Sequence, residues 1–367
     1  MQDLRWMLLG SYKKLRIGVS LAVGILLLAA LLWWTGIDKI VATISSASPI
    51  WLLAAALLIL PVNVLRAVRW KILLAPVKKN VRVSSTFWST SVGSMVNLLI
   101  PIHLGEFVRA YILGEKEETG FAPSLSSIVV ERTLDMMGLL FIGVATMFFV
   151  SAQAELSKIV ADIFTAVALF IALILAAIIV GIKKEQLILG WVTAITSKIP
   201  FAKKYTARIT NFFASLIDGL KGLSQKPKVF AANISLTLIL WLIQNSATYL
   251  TFRAFNYPLP LMPAILGGTL MALSTILPAA PGQIGSYEAF WLLIFTLLGV
   301  TQVDLLLAIG VVSHLIMLLP ILIIGCLGVV WLGLSFGEIF TFKNKLPPRS
   351  HIPLEATEIS TNKSRGN

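Results

Sequence analysis

Long runs of apolar residues, separated by short clusters of Lys and Arg, restrict this chain to very few architectures. A helix of about 20 apolar residues crosses the ~30 Å hydrocarbon core of a bilayer with its backbone hydrogen bonds satisfied internally. The runs that we assign as spans occupy residues 17–34, 50–65, 124–150, 159–182, 229–252 and 305–334. We therefore predict an all-α polytopic membrane protein with about six spanning helices.

The composition excludes the main soluble classes. Hydrophobic residues make up 57% and charged residues 13% of the chain, and the mean hydropathy is +0.89, whereas soluble domains are ~45–50% apolar. No nucleic-acid-binding motif accompanies the net charge of +13, so nucleic acid is not an expected partner. The single cysteine, Cys326, excludes an intrachain disulfide, and no metal or cofactor is expected.

The distribution of Lys and Arg predicts which loops face the cytoplasm. Basic clusters precede residue 17, follow residue 65 and occur throughout 183–228, whereas 254–342 contains no Lys or Arg. We therefore expect a plasma (cell inner) membrane protein with both termini in the cytoplasm. Residues 183–228 are predicted to hold an amphipathic surface helix, and residues 335–367 a disordered cytoplasmic tail.

One apolar segment breaks before it can cross the membrane. Pro101 ends its helical pattern, and Gly105 frees the backbone just before Glu106 and Arg109. Residues 84–120 start and finish on the cytoplasmic face in this topology. They are therefore predicted to form a re-entrant hairpin, whose irregular backbone requires surrounding protein or a wet cavity.

The pattern Pro-x-x-x-Gly returns at Pro278 and Gly282. Residues 261–300 are therefore predicted to form a second broken hairpin. Whether residues 286–300 cross the membrane fully or turn back stays open, because both arrangements place the following loop on the same side.

The two hairpins have opposite orientations in a single transmembrane domain, residues 1–334. Residues 50–150 read as span, cytoplasmic hairpin and span, and residues 229–334 as span, outer hairpin and span. This order predicts an inverted repeat, the usual frame of alternating-access transporters.

Charged residues at membrane depth mark the candidate site, because an unpaired charge there costs about 2.5–3.5 kcal/mol. Helix N-termini at the two breaks would attract an anion such as phosphate. Glu106 and Arg109 share one helix face. Glu131 and Asp135 share another, beside Arg132. Either these carboxylates neutralise the arginines structurally, or the arginines bind a substrate headgroup.

Further candidates for substrate binding lie at the two breaks: Asn97, Gly105, Gly282, Gly285 and Glu288. Asn97 is expected to bond free backbone carbonyls. Glu288 either caps its helix or carries a proton, and His314 is either a satisfied polar residue or part of a proton relay. Arg66 and Arg69 are interpreted as topological anchors beside a basic loop, surrounded by water and lipid phosphate.

Three motifs support a family resemblance: Asn97-x3-Pro101-x3-Gly105-Glu106-x2-Arg109, Glu131-Arg132-x2-Asp135 and Pro281-Gly282-x2-Gly285-x2-Glu288. On these motifs the chain resembles a flippase-like membrane family that includes the transmembrane part of lysylphosphatidylglycerol synthases and also occurs as stand-alone proteins. The resemblance implies movement of a phospholipid or related lipid between leaflets. The aminoacyl-transferring domain of the synthases is not expected, since a short tail follows residue 334.

The leading hypothesis is a lipid translocator whose partner is an anionic or phosphate-bearing membrane lipid. One rival is a secondary transporter of a small soluble anion. Another is a non-transporting membrane subunit that assists a lipid- or glycan-modifying enzyme, and a homo-oligomer is compatible with each. An enzyme is not expected, because Gly-rich phosphate loops, Gly-x-Ser-x-Gly and metal-spaced His pairs are missing from the sequence.

Overall fold

The computed structural model describes residues 37–100, 104–151, 183–198, 227–275, 277 and 280–334, together with single positions between 165 and 217. All regular elements within these ranges are helical. Four helical segments are long and apolar enough to cross a membrane: Pro49–Leu74, Phe121–Val150, Pro227–Ala254 and Val303–Leu332. The predicted all-α membrane class is confirmed. The first predicted span, most of the fourth, half of the amphipathic segment and the tail lie outside the described residues.

The helices follow one another in this order: α1 (Ile37–Ser45), α2 (Pro49–Leu57), α3 (Ile59–Leu74), α4 (Val83–Leu99), α5 (Leu104–Lys116), α6 (Phe121–Ser151), α7 (Glu185–Lys198), α8 (Pro227–Ala254), α9 (Leu261–Ser274), α10 (Ser286–Leu297) and α11 (Val303–Leu332). Helices α2 and α3 together form one of the four long segments. Pro49 opens α2, where its missing N–H has no intrahelical partner to lose.

Helices α4 and α5 form the first hairpin, packed antiparallel along their whole length. Near the break, the backbone N–H of Gly105 donates a hydrogen bond of 2.6 Å to the side-chain oxygen of Asn97. A Cβ on Gly105 would collide with the carbonyl oxygen of Gly93, so two glycines permit this close approach. At the far end, Ser85 on α4 meets Glu117 just beyond α5.

Helices α9 and α10 form the second pair of short helices, with Gly267 of α9 against the ring of Phe295 of α10. A 3₁₀ turn, Pro281–Gln283, leads into α10. Gly282 and Gly285 have φ angles of 68° and 77°, a left-handed conformation that favours glycine. The turn therefore reverses the chain tightly just before Ser286.

Helix α11 packs against both pairs of short helices. Gly325 and Gly328 contact α4, and Gly310 contacts the indole of Trp291 on α10. The 3₁₀ turn before α10 also contacts α4, so the broken ends of the two pairs meet inside the protein. Exposed apolar side chains on the outer helix faces, such as Phe148 and Val330, fit contact with lipid.

Candidate functional site

A cavity of about 310 Å³ lies where the two pairs of short helices and the long helices converge. Apolar side chains of α2, α3, α9 and α11 form part of its wall. Its polar lining comes from seven helices, the 3₁₀ turn and the residue after α9, and comprises Arg66, Ser94, Asn97, Glu106, Arg109, Arg132, Gln244, Asn245, Thr248, Thr251, Thr275, Gln283, Tyr287 and Ser313. A polar cavity enclosed by apolar helices is the usual form of a binding site for a polar group inside a membrane.

The first hairpin positions Glu106 and Arg109 on the cavity wall. The Asn97 amide holds the start of α5 in place, through Gly105 and a longer contact of 3.4 Å to Glu106. One turn later, Nε of Arg109 donates to Glu106 at 2.7 Å. The Arg109 guanidinium also lies 4.9 Å from the ring centroid of Trp70, a cation–π contact.

Behind the cavity wall, Arg69 joins the carboxylates of α6. Its two terminal nitrogens lie 2.5 Å from Asp135 and 3.0 Å from Glu131, and it also donates to Thr237 at 2.8 Å. Arg69 and Glu131 are completely buried. The expected environment of Arg69, a topological anchor surrounded by water and lipid phosphate, is therefore wrong, because α6 and α8 enclose its guanidinium.

Arg132 connects this buried group to the cavity. Its Nε lies 3.2 Å from Glu106 and its Nη1 3.2 Å from Asp135, while 38% of its side chain remains exposed. Arg66 lines the cavity and donates to Gln244 at 2.7 Å. Arg66 is thus more than the anchor predicted from the sequence, because a guanidinium on the cavity wall can contact a ligand.

Counting formal charges in this cluster leaves an excess of positive charge. Four guanidiniums, those of Arg66, Arg69, Arg109 and Arg132, accompany three carboxylates, those of Glu106, Glu131 and Asp135. Among the described side chains, the cluster therefore has one positive charge more than it can neutralise. An anion in the cavity would balance it.

Arg109 presents unsatisfied donors at this wall. Its side chain is only 2% exposed, and its two Nη atoms make no hydrogen bond with any described residue. Nη1 lies 3.2 Å from Glu131, an ion-pair distance without hydrogen-bond geometry. Buried donors of this kind are costly unless something bonds them, so a ligand in the cavity is the natural acceptor.

The second pair of short helices contributes the opposite wall. Glu288 is buried and accepts the backbone N–H of Gly285 at 2.8 Å. Its other oxygen lies 2.7 Å from Nδ1 of His314, whose Nε2 lies 2.9 Å from the carbonyl oxygen of Gly282. Tyr287 stacks on the imidazole ring with 4.3 Å between ring centroids and borders the cavity.

The structure brings together four of the predicted site residues on the cavity wall: Asn97, Glu106, Arg109 and Arg132. Glu131 and Asp135 lie behind the wall, and Gly105 has a packing role. Gly282, Gly285 and Glu288 form the turn on the far side. Asn97 accepts a hydrogen bond from the backbone N–H of Gly105, whereas the sequence predicts a bond to a backbone carbonyl. Glu288 accepts from the backbone N–H of Gly285 in the same way, so the helix N-terminus at each break already has one side-chain acceptor.

Sequence reasoning missed the polar face of α8, which includes Gln244, Asn245 and Thr248. The signal was available, since three polar residues within five positions of an apolar span favour a face directed at protein or water. Gln283 was also missed. It borders the cavity with a φ of 56°, an uncommon conformation for a residue other than glycine.

Within the described ranges, no group of three or more His, Cys, Asp or Glu side chains is arranged to hold a metal ion. The site is therefore described by its arginines, its carboxylates and one histidine. Fold and cavity define a class: a helical membrane protein whose paired short helices enclose an arginine-lined cavity.

The chain belongs to the family described as the lysylphosphatidylglycerol synthase TM region, which matches residues 19–325. A UPF0104 membrane protein of Methanothermobacter thermautotrophicus is 24% identical, over 87% of this chain and 96% of its own length. Another, from Methanocaldococcus jannaschii, is 24% identical over 76% of this chain and 84% of its own length. The glycosyltransferase AglD of Haloferax volcanii is 20% identical over 82% of this chain and 52% of its own length. No solved structure matches the chain.

Proposed function

We propose that the protein moves an anionic, phosphate-bearing lipid between the leaflets of the plasma (cell inner) membrane, without catalysing a reaction on it. The headgroup would occupy the cavity, and the acyl chains would remain in the surrounding lipid. The proposal rests on one observation above all: Arg109 lines the cavity with two Nη atoms that make no hydrogen bond within the described protein, and the charged cluster around it has one guanidinium more than it has carboxylates. A planar guanidinium binds two phosphate oxygens at once.

The two pairs of short helices supply the moving parts in this proposal. We assign α4–α5 as a re-entrant hairpin from the cytoplasm and α9–α10 as its counterpart from the outside, within an inverted repeat. Their broken ends meet beside the cavity. Rocking one repeat against the other would open the cavity first to one leaflet and then to the other, as in alternating access.

The relatives favour a lipid over a soluble substrate. The family takes its description from a synthase of lysylphosphatidylglycerol, a phospholipid, and one relative is named a glycosyltransferase. A transmembrane region joined to such enzymes in some proteins, and separate in others, fits a common role in presenting or moving lipid. The same observation supports the alternative of a non-transporting subunit that associates with a lipid- or glycan-modifying enzyme.

Leaflet exchange by the purified protein tests the proposal. Liposomes of phosphatidylethanolamine and phosphatidylglycerol would contain fluorescent phosphatidylglycerol, and a membrane-impermeant quencher would report its outer-leaflet fraction over time. We expect faster exchange than in protein-free liposomes, slower exchange of the labelled lipid as the proportion of unlabelled phosphatidylglycerol is raised, and no competition by millimolar inorganic phosphate. Competition by inorganic phosphate would favour a transporter of soluble anions, and no exchange would favour the non-transporting subunit.

A matched pair of variants locates the activity within the molecule. Arg109→Gln removes the donors from the cavity wall, whereas Arg253→Gln removes an arginine that is exposed at the end of α8, beside Trp51. We expect exchange to be lost in the first variant and retained in the second. Equal exchange by both would contradict the assignment of the cavity as the headgroup site.

A further inference from the structure

The hydrogen bonds around His314 fix how many protons the buried Glu288–His314 pair holds. The carbonyl oxygen of Gly282 can only accept, so Nε2 of His314 donates its proton to it across 2.9 Å. Nδ1 and the Glu288 oxygen, 2.7 Å apart, then need one more proton between them, because two lone pairs would repel at this distance. Glu288 and His314 are only 2% and 4% exposed, so bulk water does not separate the two atoms.

The pair with this proton is neutral in either arrangement, as imidazolium with carboxylate or as imidazole with carboxylic acid. Release of the proton leaves a neutral imidazole facing a carboxylate, with a net charge of −1. The single remaining ring proton can serve only one acceptor, so either the 2.7 Å contact with Glu288 on α10 or the 2.9 Å contact with Gly282 in the turn before α10 must then weaken. Tyr287 and Ser313, neighbours of the pair in the chain, line the cavity and lie 3.1 Å apart at their hydroxyls. A change in the protonation of the pair therefore acts on residues that line the cavity.

Other titratable groups near the pair do not alter this count. The helices packed against α10 and α11 are α1, α2, α4, α8 and α9, of which α2, α4 and α9 contain no charged side chain. The charged residues of α1, α8 and α11 lie in their first or last turns: Asp38, Lys39, Lys228, Arg253 and Asp304. Tyr249 and Cys326 complete the titratable groups of these helices. Tyr287 touches the pair, and Glu106 and Arg109 face it across the cavity.

We infer that the Glu288–His314 pair is the binding site for a proton that moves together with each anionic headgroup, which makes the protein a proton–lipid symporter. The inference rests on the proposed lipid translocation. Its physical basis is charge balance within the membrane. In the empty, deprotonated protein, the arginine cluster has a charge of +1 and the pair a charge of −1. In the loaded protein, the cluster has a charge of +1, the phosphate diester of the lipid has a charge of −1, and the protonated pair is neutral. The cluster, the pair and the headgroup sum to zero in both states, whereas an anion or a proton alone would leave a net buried charge.

The amide of Glu288→Gln imitates the protonated pair. Its NH₂ group can donate to Nδ1 of His314, and its oxygen can accept from Gly285, so every hydrogen bond around the turn is kept. This variant should fold and exchange lipid, yet it should have lost the response to protons. Asp304→Asn serves as the matched control, since Asp304 lies ten residues before His314 on α11, about 15 Å along the helix axis.

The test measures the steady-state leaflet distribution of fluorescent phosphatidylglycerol in liposomes with an imposed pH difference and the membrane potential held at zero. For wild type and Asp304→Asn we expect accumulation in the more alkaline leaflet, approaching about tenfold per pH unit for one proton per lipid. Glu288→Gln should exchange the lipid but distribute it evenly. An even distribution for wild type, or a pH response of Glu288→Gln, would overturn the inference while leaving lipid translocation intact.

If wild type exchanges no lipid, the proposed function is refuted, and a second measurement then tests whether the Glu288–His314 pair binds a proton. The difference in Tm between wild type and Glu288→Gln should then still change between pH 5 and pH 9, because only the wild-type pair can release its proton. A constant difference would refute the proton site as well.

Discussion

Arg109 combines two ion pairs with a contact to an aromatic ring, and it still has donors to offer. Its position suits a phosphate because the side chain lines the cavity while Glu106 and Glu131 hold the guanidinium in place. Arg69 has the same chemistry but lies behind the wall, bonded to Asp135 and Glu131. Arg109 and Arg69 have the same charge, but only Arg109 lines the cavity and can contact a ligand there.

Arg109→Lys should lower lipid exchange at least tenfold while leaving Tm nearly unchanged. A lysine keeps a cation beside Glu106 and Glu131 but loses the planar fork, and a charge-assisted hydrogen bond contributes about 1.5–3 kcal/mol. Exchange rates in liposomes and thermal unfolding in detergent measure the two effects. Normal exchange by Arg109→Lys, or rescue of Arg109→Ala by removal of Glu131, would make Arg109 a charge partner only.

Arg69→Met should show the opposite balance, a large loss of stability. Removing one member of a buried ion-pair group takes the nearest partner from the charges that remain and typically costs about 3–5 kcal/mol. Here the carboxylates of Glu131 and Asp135 would lose their buried partner. Thermal unfolding measures this loss, and an unchanged Tm would contradict the structural role of Arg69.

Among the elements, the first hairpin depends on the contact between Gly93 and Gly105. Gly105→Ala should lower Tm by several degrees and abolish exchange, because its methyl group would force α4 and α5 apart and disturb the Asn97 contact. Gly190→Ala is the control: no atom of the described residues lies within 4 Å of a Cβ placed on that glycine of α7, so the helix should gain about 0.5–1 kcal/mol. Similar effects of the two substitutions would show that close packing is not required.

The opposite end of this hairpin is held by Glu117. Burial acts to raise its pKa, but hydrogen bonds from Ser85 at 2.5 Å and Arg82 at 3.1 Å outweigh burial and hold the pKa below its ordinary value of 4.5. A lowered pKa adds stability that is complete above pH 4.5 and is lost as the pH falls through the lowered value. Wild type should therefore lose more Tm than Ser85→Ala on acidification below pH 4.5. Parallel acid profiles would contradict this role.

Element positions could largely be predicted from the sequence, because apolar length and helix breakers act locally. The segments 124–150, 229–252 and 305–334 coincide with α6, α8 and α11 to within three residues at either end. The break between α4 and α5 likewise lies at the predicted place. Whether the two pairs of short helices enter the membrane and turn back stays a prediction.

Partnerships between residues far apart could not be predicted from the same patterns. Arg69 meets Asp135 across 66 positions, and Glu288 meets His314 across 26. Such contacts depend on which helix faces pack together, information that no local spacing contains. For this reason the sequence predicts the clustering of Glu131, Arg132 and Asp135 but not their contacts with Arg69, which it assigns with Arg66 as an anchor.

At the scale of the whole molecule, the orientation of the chain can be measured. Single cysteines at Glu118, Asn256 and Gln302, each exposed, would be labelled in a Cys326→Ala background with an impermeant thiol reagent. We expect labelling of position 118 from the cytoplasmic side and of positions 256 and 302 from the outside. Labelling of position 118 from the outer face would contradict the re-entrant hairpin.

The central claim is that the cavity holds the phosphate headgroup of a lipid, and native mass spectrometry of gently extracted protein tests it most directly. We predict that wild type retains one phosphate-bearing lipid per chain, and that Ala272→Trp, which fills the cavity, loses it. Leu327→Trp, which introduces the same side chain on the exposed face of α11, should retain it. Wild type without retained phospholipid, or retention undiminished in Ala272→Trp, would contradict the claim.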